Sequence, residues 1–341
     1  MTLQPPHPKD HSRVHYASFN HLFLYITERC QLRCGHCYMG NRLDQPMSMN
    51  HEQAVGIMRN CRKLGAKAIT FVGGEPTLHD DLPQFVDAAS DLGFNEINLD
   101  TNGQNAEGLF KIPPNKLNYV RVSIDGPDAE THETVRGKGT WEKAIATLTA
   151  LVQMGYKTAI TSTIFHFNVD RALRLLQLAD GLGVHLINFH AFSEEGLGRS
   201  KKEWSLDPSE WISLCNELLA VAPDLRISVW FPPTWTLAEN VPLYVSNGFN
   251  GCLGCSLDRL SVFPDGRCYI CSLLFDQPLH FARFEKDGLR INKEQNEFEL
   301  FASAVMQAEA PWLSGCPAER VLGRQTDGEM VSMCRCWKMQ A

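Results

Sequence analysis

Cys30, Cys34 and Cys37 stand in the run Glu28-Arg29-Cys30-Gln31-Leu32-Arg33-Cys34-Gly35-His36-Cys37-Tyr38. The spacing C-x3-C-x2-C puts three thiolates on one short loop. A [4Fe–4S] cube is normally held by four cysteines. A loop that supplies three leaves one iron open, and an open metal position points to chemistry rather than scaffolding. A zinc knuckle is the plainer use of the same residues. A second run, Gly73-Gly74-Glu75-Pro76, combines glycines that let backbone approach a ligand closely with a carboxylate that can accept charge-assisted bonds from an ammonium group. Read alone, it is also ordinary turn chemistry. A third, Ser123-Ile124-Asp125-Gly126, has Arg136-Gly137 downstream. A hydroxyl and a guanidinium suit a carboxylate. A helix cap and an exposed salt bridge would use the same side chains.

These runs fall at the ends of strand-like segments. Apolar, β-branched stretches at 22–27, 67–72, 95–100, 119–124, 157–165 and 184–192 alternate with helix-period segments at 50–64, 81–92, 141–154, 169–182 and 209–221. This is a βα repeat with parallel strands expected to be buried on both faces. Six units are too few for a closed eight-unit barrel, so the expected architecture is a partial barrel. The pattern changes after about residue 200, where Pro- and Trp-rich irregular stretches appear. Residues 1–19 read as a flexible tail, 20–224 as the partial barrel and 225–341 as a smaller cysteine-rich domain. His7, His11 and His15 recur at four-residue spacing in the tail without an apolar face. Cys61 and Cys215 fall in helical segments and read as small packed hydrophobes.

The later cysteines are Cys252, Cys255, Cys268, Cys271, Cys316, Cys334 and Cys336. The run 258–274 reads as a hairpin with Pro264-Asp265-Gly266-Arg267 at its turn. Seven thiols fill one four-thiolate site with three left over, or nearly fill two. Structural zinc held by the two C-x2-C pairs is the alternative.

Hydrophobic residues are 44% of the 341, enough for a sizeable core. A net charge of −7 lacks the basic stripe of a nucleic-acid binder. No apolar run reaches the ~18 residues of a membrane span, and the N-terminus has no signal-like apolar core. Twelve cysteines without a secretion signal favour metal sites over disulfides. The expected setting is a soluble, cytoplasmic protein with neither nucleic-acid nor membrane partners.

Over residues 20–200 the ordered motifs resemble those of the radical S-adenosylmethionine (SAM) enzymes. The resemblance implies an α/β fold, a (βα)6 partial barrel whose cysteine loop lies at the C-terminal ends of the strands, where parallel barrels build active sites. It implies that Cys30, Cys34 and Cys37 hold a [4Fe–4S] cluster whose open iron chelates the amino and carboxylate groups of SAM. Gly73, Gly74, Glu75 and Pro76 would take the amino group. Ser123 and Arg136 would take the carboxylate, with Asp125 beside them. His36 would pack near the adenine, with Tyr38 after the third cysteine. Asn102, in Thr101-Asn102-Gly103, matches a further family pattern or is simply a turn residue. Thr163 and Asn168 would meet the ribose, although Asn168 also suits a helix N-cap.

The implied reaction is reductive cleavage of SAM to methionine and a 5′-deoxyadenosyl radical, which takes a hydrogen atom from a substrate C–H bond. An electron donor such as flavodoxin or ferredoxin is implied. Cys255 and Cys271, in the form C-x10-G-x4-C, resemble the opening of the auxiliary-cluster domains called SPASM and twitch. This chain departs from the full SPASM pattern, with Cys316 and then Cys334-Arg335-Cys336. The resemblance implies at least one auxiliary [4Fe–4S] cluster, on Cys255, Cys271 and two later cysteines, with Cys252 and Cys268 as competitors. SPASM relatives modify peptides by oxidation, epimerisation or crosslinking. Twitch relatives act on small molecules such as aminocyclitols or sugars. Residues 1–19 are too few for an N-terminal leader-binding domain, which weakens the peptide reading. A non-catalytic iron–sulfur electron carrier and a zinc-stabilised scaffold are the readings from other classes.

Overall fold

The computed structural model describes residues 19–249, 251–286, 288–306, 316–322 and 330–340. His7, His11 and His15, and the expected tail apart from Phe19, lie outside them. Phe19 is itself core, buried edge-on against Phe281.

Strands β1 (His21–Thr27), β2 (Ala68–Gly73), β3 (Glu96–Thr101), β4 (Tyr119–Ser123), β5 (Thr158–Ile164), β6 (Leu186–Ala191) and β7 (Ser228–Phe231) lie side by side in chain order. All are parallel to their neighbours. The crossovers carry α1 (His51–Lys63), α2 (Leu82–Asp91), α3 (Ala129–Arg136), α4 (Trp141–Gln153), α5 (Ala172–Gly181) and α6 (Pro208–Val221). From β3 to β4 the chain makes only short 3-10 turns, at Leu109–Lys111 and Pro114–Lys116, where prolines interrupt helical hydrogen bonding.

Side chains alternate across each strand. Leu22, Leu24 and Ile26 of β1, Ile69 and Phe71 of β2, and Val120 and Val122 of β4 are fully buried in one core with Ala54, Ile57 and Met58 of α1. Each such burial is worth about 1.5–3 kcal/mol. The opposite face carries polar side chains: Thr70, Asn98, Asp100, Arg121, Ser123, Thr161, Thr163, Asn188 and His190. Thr70, Asn98 and Asn188 are buried there too, with Tyr25 and Val72, so the strands are covered on both faces as expected, but the inner face is largely polar.

The six βα units appear as expected, and the sheet continues past residue 225. β7 extends it beyond β6. After β8 (Trp235–Leu237), strand β9 (Arg259–Val262) pairs in parallel with the free edge of β1. β10 (Arg267–Tyr269), β11 (Ala282–Glu285) and β12 (Gly288–Ile291) follow as an antiparallel meander. β13 (Met330–Ser332) pairs with β8, and β14 (Met339–Gln340) with β7. One twelve-stranded sheet thus spans both expected domains. The cysteine-rich region embraces both edges of the barrel. No described helix is long and apolar enough to cross a membrane.

Candidate active site

The loop after β1 is held by backbone bonds to the turn after β2, to α3 and to the segment after β6. Gly74 N donates to Thr27 O at 2.8 Å and Glu75 N to Arg29 O at 2.8 Å. Gly35 N donates to Val135 O at 3.0 Å and Leu197 N to Cys37 O at 2.9 Å. The approach is too close for side chains: a Cβ on Gly74 would lie 2.6 Å from Glu28 O. Gly196, with φ +55°, turns against the carbonyls of Cys37 and Tyr38 in the same way. Cys34 is buried, Cys30 and Cys37 partly so. Burial pushes the Cys30 thiol up to about 11 and Cys37 up to about 12, with the neighbouring thiols adding to both shifts. A coordinating metal overturns that preference, because it deprotonates its thiols outright. The donor set suits an iron–sulfur cluster. Among the described residues no three His, Cys, Asp or Glu converge tightly enough for a single ion; cube ligands stand farther apart.

Asn102 reaches this loop directly. Its amide exchanges hydrogen bonds with that of Gln31 at 3.2 and 3.3 Å and approaches Cys30 Sγ at 3.8 Å. Glu75 is 1% exposed, and its carboxylate accepts four bonds. Thr77 N (3.1 Å), Thr77 Oγ1 (2.7 Å) and Thr101 Oγ1 (2.7 Å) donate to Oε1, and Asn102 N (2.7 Å) to Oε2. Its carboxylate therefore joins the turn after β2 to the end of β3. Pro76 is buried at the start of the 3-10 turn Pro76–Leu78. Ser123 and Thr163 carry hydroxyls with no hydrogen-bond partner among the described residues.

Asp125 is fully buried between the Arg136 guanidinium and hydrogen-bond donors. Arg136 Nε bonds Oδ2 at 2.7 Å, Thr163 N bonds Oδ1 at 2.8 Å, and His36 Nε2 stands 3.9 Å from Oδ2. Burial, the largest single influence, would raise its pKa, but Arg136, His36, His132 and the Thr163 N–H together outweigh it and hold the carboxyl below its ordinary range. Arg136 comes from the last turn of α3, which Asp128 caps through Thr131 N, and it also reaches the Cys34 thiol. Burial lowers His36 to about 4, and its Nδ1 is buried without a partner among the described residues. Asn168 does not cap its helix. Its Oδ1 accepts from Phe165 N at 2.6 Å, and its Nδ2 donates to Asp125 O at 2.8 Å and Thr163 O at 3.1 Å. α5 starts at Ala172, after a 3-10 turn.

Tyr38 turns away from this group. Its hydroxyl meets Tyr25 at 3.1 Å, and its ring meets Phe275 of the C-terminal region. Arg42 ties the same two regions together. It bonds Glu28 (2.8 Å), Asp265 (3.4 Å), Tyr269 Oη (3.2 Å) and Phe275 O (3.3 Å), and lies over the Phe263 ring.

The inner face of the sheet adds residues that motif reading passed over. Arg121 pairs with Asp100 at 3.1 Å. His21 Nε2 meets Thr70 Oγ1 at 2.8 Å, and Lys338 Nζ donates to Asn188 Oδ1 at 2.9 Å. Arg259 lies over Phe23 and bonds Cys336 Sγ at 3.1 Å. Burial, then Arg121, Arg259 and Lys338, lowers His21 to about 3. Burial, then Lys338 and Arg259, keeps His190 neutral. For Asp100, Arg121, Asn188 and His190 the signal was present as period-two polar spacing inside strands, Asn98-x-Asp100, Arg121-x-Ser123 and Asn188-x-His190; His21, Arg259 and Lys338 had none.

Six of the seven later thiols gather in one place. Cys252 reaches Cys255 and Cys334, and Cys334 reaches Cys336. Cys271 and Cys316 stand close enough to disfavour ionisation of the others. Cys268 lies apart, fully buried in the main core, its thiol 3.3 Å from Gly266 O and its electrostatic neighbour Cys61. Cys61 and Cys215 are buried, as expected.

Residues 24–179 match the family model described as Radical SAM superfamily. A relative from Saccharolobus solfataricus described as a probable GTP 3',8-cyclase is 25% identical over 256 residues, covering 73% of this chain and 82% of that protein. One with the same description from Metallosphaera sedula is 26% identical over 259 residues, covering 72% and 78%. Among solved structures, native anSMEcpe with bound AdoMet and Kp18Cys peptide aligns with a TM-score of 0.66 at 17% identity, covering 93% of each chain. Streptococcus suis SuiB bound to S-adenosylmethionine gives 0.65 at 16% identity, over 92% of this chain and 69% of that one. In the complex of SuiB with its precursor peptide SuiA, the match spans 65% of the SuiB chain. At these identities the two structures share the fold. Residues 24–179 thus form a Radical SAM superfamily domain, the kind of domain that works with a [4Fe–4S] cluster and S-adenosylmethionine.

Proposed function

We propose that this enzyme holds a second, fully protein-ligated [4Fe–4S] cluster and takes a hydrogen atom from a C–H bond of a peptide. The gathering of Cys252, Cys255, Cys271, Cys316, Cys334 and Cys336 beside the barrel cavity carries the reading. Four thiolates satisfy a cube, and this site offers six. When bound, SAM and the first cluster supply one-electron cleavage of the sulfonium and hydrogen-atom abstraction; the protein supplies position and a dry cavity.

In this reading Cys30, Cys34 and Cys37 hold the SAM cluster. Ser123 and Thr163 offer the free hydroxyls for SAM. Arg136 aligns the loop through Asp125 and Cys34. Glu75, Asp125 and Asn168, whose polar atoms bond the protein itself, act as positioning residues. His36 and Tyr38 wall the loop on either side. A peptide is supported by the likeness over 93% of both chains to a fold whose solved structure carries one. A cleft of about 190 Å³ between the segment after β6 and the C-terminal region, lined by Phe192, Glu194, Trp235 and Arg335 among others, offers an entrance. The relatives described as probable GTP 3',8-cyclase favour a second reading, a nucleotide-like small molecule.

Anaerobically reconstituted protein, given SAM and a strong reductant, is expected to release 5′-deoxyadenosine and to hold iron for two clusters. Zinc in place of iron, or iron without SAM cleavage, would defeat the proposal. Deuterium transfer from labelled peptide or labelled nucleotide into 5′-deoxyadenosine separates the two substrate readings.

A further inference from the structure

The cleft between the segment after β6 and the C-terminal region has a volume of about 190 Å³. At ~30 Å³ per water it has room for about six. Pockets for whole drug-sized ligands run to about 300–1,000 Å³, so this one suits a single side chain. Phe192, Leu206, Pro208 and Trp235 give it apolar walls.

Two hydroxyls on its wall differ in their state. Ser205 Oγ donates to Glu194 Oε1 at 2.7 Å. Ser332 is 7% exposed, and its hydroxyl has no hydrogen-bond partner among the described residues. Strand register sets Ser332 opposite Trp235 in the β8–β13 pair, so the two side chains share a face, and both line the cleft. A buried hydroxyl without a partner is costly, and a ligand that supplies one relieves the cost.

The cleft also lies between the two groups of thiols. On one side Phe192 meets Phe165 with ring centroids 5.2 Å apart, and Phe165 meets His36 of the cysteine loop at 5.5 Å. On the other, Ser332 leads through Met333 into Cys334.

We propose that this cleft is a recognition pocket for one side chain of the substrate peptide, an aromatic ring that ends in a hydroxyl, as in tyrosine. The ring lies against Trp235 and Phe192, and its hydroxyl completes Ser332. The inference rests on the peptide reading of the proposed function, and it names a residue that the peptide presents. Seating that residue between the two thiol groups fixes the register of the peptide, and with it the residue that faces SAM.

The test uses the anaerobically reconstituted full chain saturated with SAM, which keeps other ligands out of the SAM space. N-acetyltyrosinamide, N-acetylphenylalaninamide, N-acetyllysinamide and guanosine are titrated separately and followed by saturation-transfer NMR. The tyrosine amide is expected to bind tightest, ahead of the phenylalanine amide by about two- to tenfold, the size of one neutral hydrogen bond. Ser332→Ala should erase that margin by weakening the tyrosine amide alone. Ser193→Phe, which puts a ring into the cleft from its half-buried rim, should abolish binding of both aromatic amides. Pro208→Trp fills the cleft from the start of α6 and should do the same. Iron content and near-UV circular dichroism check that each variant is intact. Absence of binding, equal affinity of the wild-type chain for the tyrosine and phenylalanine amides, tighter binding of the lysine amide or guanosine, or binding indifferent to both filling variants would overturn the inference. Failure of the wild-type protein to cleave SAM is a separate result, read in a different assay, and it would strike the proposed function instead.

Discussion

Glu75 offers a sharp test of what its loop does. Its carboxylate accepts four bonds, three on Oε1 and one on Oε2, and is sealed from solvent. Glu75→Gln keeps the shape and removes the charge. With the amide carbonyl in the Oε1 position, the new NH2 group faces the Asn102 N–H, donor against donor. One buried backbone donor is orphaned, and the remaining bonds become neutral ones. Losing a bond to a charged group costs about 1.5–3 kcal/mol. Part of that is returned, because burial already disfavours the charge and raises the Glu75 pKa. The expected net loss is about 2 kcal/mol. Glu75→Ala would leave all four donors without their acceptor at about 1–3 kcal/mol each, comparable to the whole stability of a domain at about 5–15 kcal/mol. That variant should fail to accumulate folded. The assay is urea unfolding under anaerobic conditions, with hydrogen exchange at the Asn102 amide and SAM affinity measured on the same sample. For Glu75→Gln the urea midpoint should fall, the Asn102 amide should lose protection, and SAM affinity should drop with them. A wild-type midpoint and a protected Asn102 amide together with lost SAM affinity would refute the reasoning, because Glu75 would then serve SAM directly.

Cys268→Ala should leave iron per chain unchanged, whereas replacing Cys252, Cys255 and Cys334 together by Ala, which leaves three of the six gathered thiols, should lower it by one cluster; a Cys268→Ala protein that loses iron would put this thiol among the ligands. Arg42→Met strips buried Glu28 of its cation and unties the C-terminal region from the cysteine loop. Breaking a buried pair costs about 3–5 kcal/mol, so faster hydrogen exchange at both Met39–Leu43 and Tyr269–Phe275 is expected alongside a lower urea midpoint. His132 is fully buried and accepts from Asp125 N through Nδ1, and burial lowers it from 6.5 to about 4. The unfolded chain binds that proton first, so stability is intact above pH 6.5 and falls by about 1.4 kcal/mol per pH unit toward pH 4. His132→Asn, which still offers an acceptor but does not titrate, should flatten the dependence by that slope; an unchanged slope would contradict the assignment.

The strand-end motifs were readable because spacing along the chain fixes them. C-x3-C-x2-C needs no distant partner to be seen, and neither does the alternation of apolar strands with helical stripes. What escaped depends on residues far apart. Glu75 looks like a turn residue until Thr101 and Asn102 arrive from the next strand. Asn168 has the position of an N-cap, yet Asp125 and Phe165 offer its amide more bonds than the helix would. α3 is eight residues of mostly polar sequence after a Gly-Pro turn, too short for its periodicity to register. β7 is four residues and β14 is two; β9 was legible as the first strand of the 258–274 hairpin, but its pairing with β1 was not. Such short segments become strands only because a long neighbour offers its edge. The charged lining stayed hidden because Lys338, Arg259 and Arg121 share no local sequence.

The pairing of β9 with β1 has a consequence for the history of the chain. β1 leads the barrel, and its outer edge stays open through the synthesis of β2 to β7. An open edge is a template for pairing with other chains. Only when residues 259–262 emerge is that edge closed, by a contact of very long sequence separation, the kind that slows folding and prolongs exposure of sticky intermediates. The cysteine-rich segment therefore acts as the barrel's late-arriving clasp. A chain stopped near residue 225 would keep every residue of the SAM loop and still be a poor candidate for an isolated domain. The insertion of clusters and the closing of the barrel would be events of the same final stage.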